Sequence, residues 1–243
     1  MKLQELRGVG KGEPTIIVGN GLSLNKIPLE RLSPIPTFAV NMIGNIFRRT
    51  DWRPTYYTVV TDGFFVKEFQ PLYYQAVEDA RVAFVGDHNR SYFNGRPQDN
   101  VIWLCCRHDG PWQDYEAQDD WWSDDPSSWV SRWGTSSIVS LQLAAYMGYN
   151  PLILIGFDLG YRPLLADGTS PMHFDPNYLG DYFRNRDDGY DFDETERAHV
   201  RAHQIADVNL KRLGVQVFNG TIGGKLEQYI RIDIFEWMKH VLP

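Results

Sequence analysis

The chain has 243 residues, of which 43% are hydrophobic, enough for the core of one large α/β domain. Its net charge of −7 argues against nonspecific binding to nucleic acid or an anionic membrane. No apolar run approaches the ~18 residues of a membrane span, and residues 1–14 lack the apolar segment of a signal peptide. Because Cys105 and Cys106 are adjacent, a disulfide between them would be strained, and we expect a reduced, cytoplasmic protein.

Three predicted strands near the N-terminus end in small or polar residues. The strands are residues 15–18, 37–40 and 56–61. The residues that follow them are Gly19, Asn20, Gly21, Ser23, Asn41 and Asp62. Because ligands bind beyond the carboxyl ends of parallel strands, this repeated placement predicts a site at one sheet edge. The glycine turn alone matches neither a G-x-G-x-x-G fingerprint nor a P-loop, so an ordinary strand-to-helix turn explains it equally well.

The middle of the chain combines regular elements with one irregular segment. A helix is predicted over residues 70–80 and strands over 81–85 and 101–105. Residues 107–132 are rich in Trp and Asp and show no clean period. Two interpretations stay open: an insertion folded over the sheet edge, or a sugar-stacking or acceptor surface formed by the aromatic faces.

Residues 134–161 form the best-defined stretch of the sequence. Thr135, Ser136 and Ser137 supply hydroxyls where a helix begins, and Gly148 is placed to end that helix. Residues 151–155 are almost wholly apolar, as expected of a parallel strand covered on both faces, and Asp158 follows that strand. We therefore expect Asp158 and the start of the helix to face one site from two directions.

A long irregular segment, residues 160–190, follows this strand. Such a loop inside a compact domain is usually functional or disordered, and its aromatic content favours function. We interpret it as a lid carrying His173, Asp175 and Tyr178. A helix over residues 193–213, a strand over 216–218, a second glycine turn over 219–225 and a short helix over 232–240 complete the chain.

The order of these features resembles a known family. The segments that carry the likeness are GNGLSL at residues 19–24, Asn41, the TSS at 135–137, LAAYMGYNPLILIGFDLGY and a downstream His in the lid. They resemble bacterial sialyltransferases of glycosyltransferase family 42. They equally resemble a broader group of related domains of unknown function that includes archaeal 6-hydroxymethyl-dihydropterin diphosphokinases. The likeness spans about residues 15–234, and the GGKLE segment at 223–227 is more similar to the uncharacterised relatives.

The resemblance implies a role for each matching position. The glycine turn would hold the nucleotide phosphate region, and Asn41 would contact the nucleotide. The residues implied to bind donor or leaving phosphate are Thr135, Ser136, Ser137, Tyr161 and Tyr178. His173 would be the general base, and Asp158 would organise the site. Two departures stand out: the family has Gly at Ser137 and Pro at Leu22.

These observations predict one domain, residues 1–243, with a Rossmann-like three-layer α/β/α fold, a mostly parallel sheet and a lid insertion. The predicted function is transfer from a nucleotide-activated donor to a small-molecule or glycan acceptor, as in a sialyltransferase. No cofactor is firmly implied, and the related sialyltransferases suggest a homo-oligomer.

Two other functions stay open. Diphosphoryl transfer from ATP would use Mg²⁺ held by Asp62, Asp158 and Asp175, although a Lys-Ser/Thr phosphate loop is missing. A non-catalytic nucleotide-binding protein would keep the fold without the base.

Overall fold

A computed structural model describes residues 1–107, 121–178, 180 and 191–241. The strands are β1 Thr15–Val18, β2 Thr37–Val40, β3 Tyr56–Val59, β4 Val82–Gly86, β5 Val101–Leu104, β6 Cys106–Arg107, β7 Val130–Ser131, β8 Leu152–Ile155, β9 Val217–Asn219 and β10 Ile230–Arg231. The α-helices are α1 Gln70–Asp79, α2 Ser136–Tyr146, α3 Phe192–Arg212 and α4 Ile234–Val241. Short 3-10 helices follow several strands, among them Leu22–Lys26, Asn41–Ile46 and Asp62–Phe65.

Eight strands form one parallel sheet in the order β10-β9-β8-β1-β2-β3-β4-β5. The chain runs outward from β1 to β5 and then returns to β8, on the other side of β1. In register, Ile17 of β1 lies opposite Phe38 of β2 and Leu154 of β8. The strand order therefore reverses between β1 and β8. That reversal is the switch point at which open α/β sheets leave a crevice for a ligand.

Helices cover both faces of the sheet. Successive residues of a strand point to opposite faces, so each face has its own core cluster. One core cluster contains Ile16 and Val18 of β1 together with Tyr73 of α1 and Met238 of α4. The other contains Ile17 of β1 together with Leu141 of α2 and Ala206 of α3. The predicted three-layer α/β/α architecture with a parallel sheet is confirmed. Within the described ranges, no helix is both long and apolar enough to cross a membrane.

The predicted elements match the observed ones closely, with small differences at their ends. The third strand ends at Val59 instead of residue 61, since the chain turns into the 3-10 helix that begins at Asp62. The edge strand β10 and the short β6–β7 pair were not predicted, because two-residue strands carry no readable alternation.

Part of the Trp- and Asp-rich segment, together with the adjacent Trp133, packs into the core. Trp121, Trp122 and Trp133 are buried in the cluster beneath α2, and the rings of Trp121 and Trp133 stack with centroids 5.6 Å apart. These three rings therefore supply core packing and are not exposed for sugar stacking. Trp129 of the same segment is half-buried, and residues 108–120 of the predicted acceptor surface lie outside the described residues.

Candidate functional site

The first glycine turn lies directly against the end of β8. The Gly19 N–H donates to the Ile155 carbonyl at 2.8 Å, and the Gly21 N–H donates to the Gly156 carbonyl at 2.9 Å. A Cβ built on Gly19 would lie only 2.5 Å from the Gly156 oxygen. Gly156 has φ +73°, a backbone conformation that favours glycine. The two turns can approach this closely only because Gly19 and Gly156 have no side chains.

Asp158 closes this turn from the β8 side. Its Oδ1 accepts the Ser23 N–H at 3.1 Å, and its Oδ2 accepts the Ser23 hydroxyl at 2.7 Å. Partial burial raises the pKa of the Asp158 carboxyl, while the two bonds from Ser23 and the charge of Lys26 oppose that rise. A Cβ on Gly21 would overlap the Asp158 carboxylate. The structure thus brings Gly19, Gly21, Ser23 and Asp158 together, and Asp158 orders the turn.

Residues 172–174 of the predicted lid segment contact the same turn through their backbone. The Leu22 N–H donates to the Met172 carbonyl and the Phe174 N–H donates to the Asn20 carbonyl, each at 3.1 Å. Gly21 and His173 consequently face each other as an isolated antiparallel bridge. The main chain therefore holds His173 beside the switch point.

The His173 side chain is fixed on two sides. Its Nδ1 lies 2.7 Å from the Ser170 hydroxyl, and its ring stacks on Tyr178 at a centroid distance of 4.0 Å. Burial, with a smaller contribution from nearby His199, lowers the pKa of His173 to about 4. The imidazole is therefore neutral at neutral pH and able to accept a proton. Tyr178 itself is buried, so its ring supports His173 from the core side.

Tyr161 follows β8 and is held by α3. Its N–H donates to Glu196 Oε2 at 2.7 Å, and its hydroxyl lies 2.8 Å from His199 Nδ1. Burial lowers the pKa of His199 to about 4. Sequence reasoning missed Glu196 and His199. Their spacing of three on a helix, which places both on one face, was the available signal.

Two asparagines present unsatisfied oxygens at the ends of β1 and β2. Asn20 donates from Nδ2 to the Val40 carbonyl at 3.1 Å. Within the described structure, the Oδ1 atoms of Asn20 and Asn41 are buried and accept no hydrogen bond. Asn41 also has φ 50°, an uncommon conformation for a residue with a side chain. Buried acceptors without donors are costly, so this geometry suits a ligand that carries hydroxyl or amino groups.

The start of α2 presents hydroxyl groups beside α3. Thr135 is the N-cap residue, yet its side chain does not cap the helix; its hydroxyl lies 3.2 Å from that of Ser137. Ser136 and Ser137 are buried. The preceding Gly134 has φ +81°, and a Cβ there would lie 3.2 Å from the Ala198 carbonyl of α3. An uncapped helix start of this kind can bind an anion.

Asp62 and Asp175 serve other contacts. Asp62, at the end of β3, is exposed and lies 3.2 Å from both Arg132 and His88. Asp175 is buried and accepts from Arg48 at 2.7 Å and from the Asn177 N–H at 2.9 Å, which anchors the lid. Within the described ranges, no three His, Cys, Asp or Glu side chains are grouped to hold a metal ion. The three acids suggested as Mg²⁺ ligands therefore do not form a shared site.

Comparison with known proteins finds structures of similar fold at low sequence identity. No protein-family model matches the chain, and no curated protein sequence does either. The structure of MAf glycosyltransferase from Magnetospirillum magneticum AMB-1 is similar with a TM-score of 0.53 and 13% identity over 93% of this chain. This chain spans only 35% of that protein's chain. At such low identity the likeness establishes a shared fold.

A second similar structure is the sialyltransferase CstII from Campylobacter jejuni, solved with the substrate analogue CMP-3FNeuAc. It has a TM-score of 0.48 and 12% identity, over 90% of this chain and 85% of that one.

Proposed function

We propose that this chain transfers a sugar from a nucleotide-activated donor, in the manner of a sialyltransferase, to a small-molecule or glycan acceptor. The observation that carries the proposal is His173, neutral and held by the main chain against the glycine turn at the β1–β8 switch point. A neutral imidazole at the carboxyl edge of a glycosyltransferase-like sheet is a suitable general base.

The nucleotide would bind across the ends of β1 and β2. The glycine turn allows a ligand to approach the backbone closely. The buried Oδ1 atoms of Asn20 and Asn41 would accept hydrogen bonds from ribose hydroxyls or from an exocyclic amino group. Asp158 would not touch the nucleotide; it would hold Ser23, and with it the shape of the turn.

His173 would remove the proton from the acceptor hydroxyl through Nε2. In the tautomer that donates from Nδ1 to Ser170, Nε2 carries the lone pair that this step needs. Binding of an anionic donor would raise the low pKa of the ring, because a nearby negative charge favours the imidazolium form. The base would thus become stronger once the substrate is in place.

The leaving phosphate would lie between the start of α2 and Tyr161. The hydroxyls of Thr135 and Ser137 and the uncapped helix start would stabilise its charge. The Tyr161 hydroxyl would donate from the opposite side. The lid, docked by the hydrogen bonds at Met172 and Phe174, would keep water from the reactive sugar carbon.

The first experiment is a thermal-shift panel of CMP, UDP, GDP and ATP, each with and without Mg²⁺. A ligand at 100 times its dissociation constant should stabilise the fold by roughly 2.7 kcal/mol. A metal-independent shift with CMP supports the proposal and justifies assays with CMP-sugars. A shift with ATP that requires Mg²⁺ would point to the diphosphokinase instead. Binding without turnover of any activated sugar would favour the non-catalytic nucleotide-binding protein.

The second experiment tests the base. His173→Ala should lower turnover by about 10²–10⁴-fold, the usual contribution of a general base, and leave nucleotide affinity almost unchanged. The matched control is His88→Ala, at the other end of the sheet edge, which should keep full turnover. Full activity in His173→Ala with an intact fold would contradict the assignment.

A further inference from the structure

The second glycine turn, residues 219–225, packs against the main chain of Asp158. The Lys225 N–H donates to the Asp158 carbonyl at 2.7 Å. A Cβ built on Gly224 would lie 2.8 Å from both the Cα and the carbonyl oxygen of Asp158. The middle of this turn therefore lies against Asp158 as closely as a glycine allows.

Arg231, on the edge strand β10, holds the middle of this turn. Its Nη1 donates to the Gly223 carbonyl at 2.6 Å, and its Nη2 donates to the Gly224 carbonyl at 3.0 Å. Longer bonds of 3.3 and 3.2 Å reach the carbonyls of Thr221 and Leu226. Two consecutive glycines with φ +78° and +76° have great conformational freedom without such contacts. One planar guanidinium, with its donors in fixed directions, thus fixes four carbonyls at once.

The ends of the turn are held independently of Arg231. Asn219 Nδ2 donates to the Leu226 carbonyl at 2.8 Å, and Asn219 Oδ1 accepts the Thr221 N–H at 2.9 Å. Both of these bonds are buried. Loss of the Arg231 side chain should therefore leave the turn attached to the sheet and release only its middle, residues 223–225.

Asp158 connects the second glycine turn to the first. Its carboxylate accepts the N–H and the hydroxyl of Ser23, at 3.1 and 2.7 Å. Leu159, the next residue, has φ 54°, a conformation that a residue with a side chain keeps only where its surroundings hold it. The bond from Lys225 to the Asp158 carbonyl lies at this strained point. The direction of the Asp158 carboxylate thus depends on the second turn, and the position of Ser23 depends on Asp158.

We propose that Arg231 is a positioning residue for the candidate site. By holding the middle of the second glycine turn it fixes the main chain of Asp158, and through the Asp158 carboxylate it fixes the first glycine turn. This inference rests on the proposed function for the ligand that the first turn binds. The path of contacts from Arg231 to Ser23 does not depend on that function and can be tested separately.

The first test measures hydrogen exchange at the Lys225 and Ser23 amides by NMR, in the wild type and in Arg231→Ala. We expect both amides to exchange about tenfold faster in the variant, because each N–H donates to Asp158. The amides of β4 should keep their rates, which shows that the fold is intact. A role confined to the second turn would change Lys225 alone.

Two further variants accompany this test. Glu227→Gln is the control, because it removes an exposed ion pair of Arg231 and keeps the carbonyl bonds; both amides should retain their wild-type rates. Arg231→Lys keeps the charge but loses the planar fork. It should change both amides in the same direction to a smaller extent, and it replaces Arg231→Ala should that variant not fold.

A pair of glycine variants tests the contact between the second turn and Asp158. Gly223→Ala and Gly224→Ala introduce the same kind of backbone strain, because φ is +78° and +76°. A Cβ at Gly223 meets no atom within 4 Å, whereas a Cβ at Gly224 would press on Asp158. Gly224→Ala should therefore speed exchange at the Ser23 amide, and Gly223→Ala should leave that amide nearly unchanged. Equal effects of the two variants on Ser23 would overturn the inference.

The second test measures affinity for CMP by titration calorimetry. Arg231→Ala should weaken CMP binding about tenfold, within the range of couplings found between residues of one hydrogen-bonded network. Glu227→Gln should bind CMP as the wild type does. Ser23→Ala interrupts the same path at its other end, so the double variant should lose less affinity than the product of the two single losses. Independent, fully multiplied losses would overturn the inference.

The outcomes separate the inference from the proposed function. Faster exchange at Lys225 with an unchanged rate at Ser23 would overturn the positioning role, and so would unchanged CMP affinity in Arg231→Ala. If the wild type binds none of CMP, UDP, GDP and ATP, the proposed function fails. Exchange at Ser23 alone then decides whether Arg231 positions the first glycine turn.

Discussion

The two ends of the sheet's carboxyl edge differ in how far their polar side chains are buried and in the groups that contact them. At the switch point between β1 and β8, Asp158 is held by the neutral donors of Ser23, and His173 is neutral and mostly buried. At the outer end, beyond β3, the Asp62 side chain is 63% exposed and lies 3.2 Å from Arg132 and from His88. Both ends looked alike in sequence, as polar residues after strands.

This difference indicates which end is the better candidate for binding a ligand. Removing polar groups from water is costly, and buried titratable groups with shifted pKa values are concentrated at functional sites. An exposed ion pair contributes little and constrains little. The switch-point end therefore holds the candidate site, and the outer end is a solvated surface. Four predictions test this contrast, beginning with the largest expected effect.

Acid should destabilise the protein through its buried histidines. The pKa of His173 and of His199 is lowered to about 4, and that of His203 to about 3, from an ordinary value of 6.5, chiefly by burial. Between these values the unfolded chain binds more protons than the folded one, so stability is full above pH 6.5 and is lost as pH falls toward 4. Each histidine should lower the free energy of unfolding by up to about 1.4 kcal/mol per pH unit.

Urea unfolding across this pH range measures the effect. His203→Gln removes one of the three histidines. The His203 imidazole is buried, and its Nδ1 lies 3.1 Å from the Tyr229 hydroxyl. The slope of stability against pH should then decrease by about one third. An unchanged slope would show that His203 does not stay neutral in the folded protein.

Gly21→Ala should disrupt the switch-point end. The new Cβ would overlap the Asp158 carboxylate and lie 2.7 Å from the Gly156 carbonyl, neither of which can move without breaking the turn. We expect a loss of about 3 kcal/mol, at the upper end for overpacking, measured by thermal and urea unfolding. Gly12→Ala is the control, since its φ of +79° is strained but no atom lies within 4 Å; it should cost about 1 kcal/mol. Equal costs would contradict the close-approach argument.

Asp175→Ala should loosen the lid. Asp175 is only 3% exposed. Its carboxylate accepts one hydrogen bond from Arg48 and one from the Asn177 N–H. Their loss should cost about 2 kcal/mol and speed hydrogen exchange in residues 172–178. Asp79→Ala, which removes a partly exposed partner of Arg53, should leave exchange in the lid unchanged. Unaltered protection in Asp175→Ala would show that the remaining contacts, such as the backbone bridge at Gly21 and the bond from Asn25 Nδ2 to the Phe174 carbonyl, hold residues 172–178 without Asp175.

Asp62→Asn should have the smallest effect. Asp62 itself is exposed where it contacts Arg132 and His88, so we expect less than about 1 kcal/mol of stability to be lost. Nucleotide affinity should not change, which a thermal-shift titration with CMP would check. A large loss of nucleotide affinity would place the candidate site toward the outer end and contradict the difference between the two ends.

Local sequence was sufficient for the longer elements and, to within a residue or two, for their ends. The apolar strands, the glycine turn and the α2–β8 stretch ending at Asp158 could all be predicted, because periodicity and turn chemistry depend on neighbours along the chain. The α/β/α class followed from strands alternating with helices. Placement of the polar residues at one edge followed from parallel pairing alone.

The tertiary structure decided which of those residues meet. Ser23 and Asp158 are 135 residues apart, and Arg48 and Asp175 are 127 apart. Only the reversal of strand order between β1 and β8 brings the first pair together, while Asp62 is left at the outer end. Glu196 and His199 contact Tyr161 because α3 packs beside it. Burial, contact and pKa depend on neighbours in space, and no spacing along the chain encodes them.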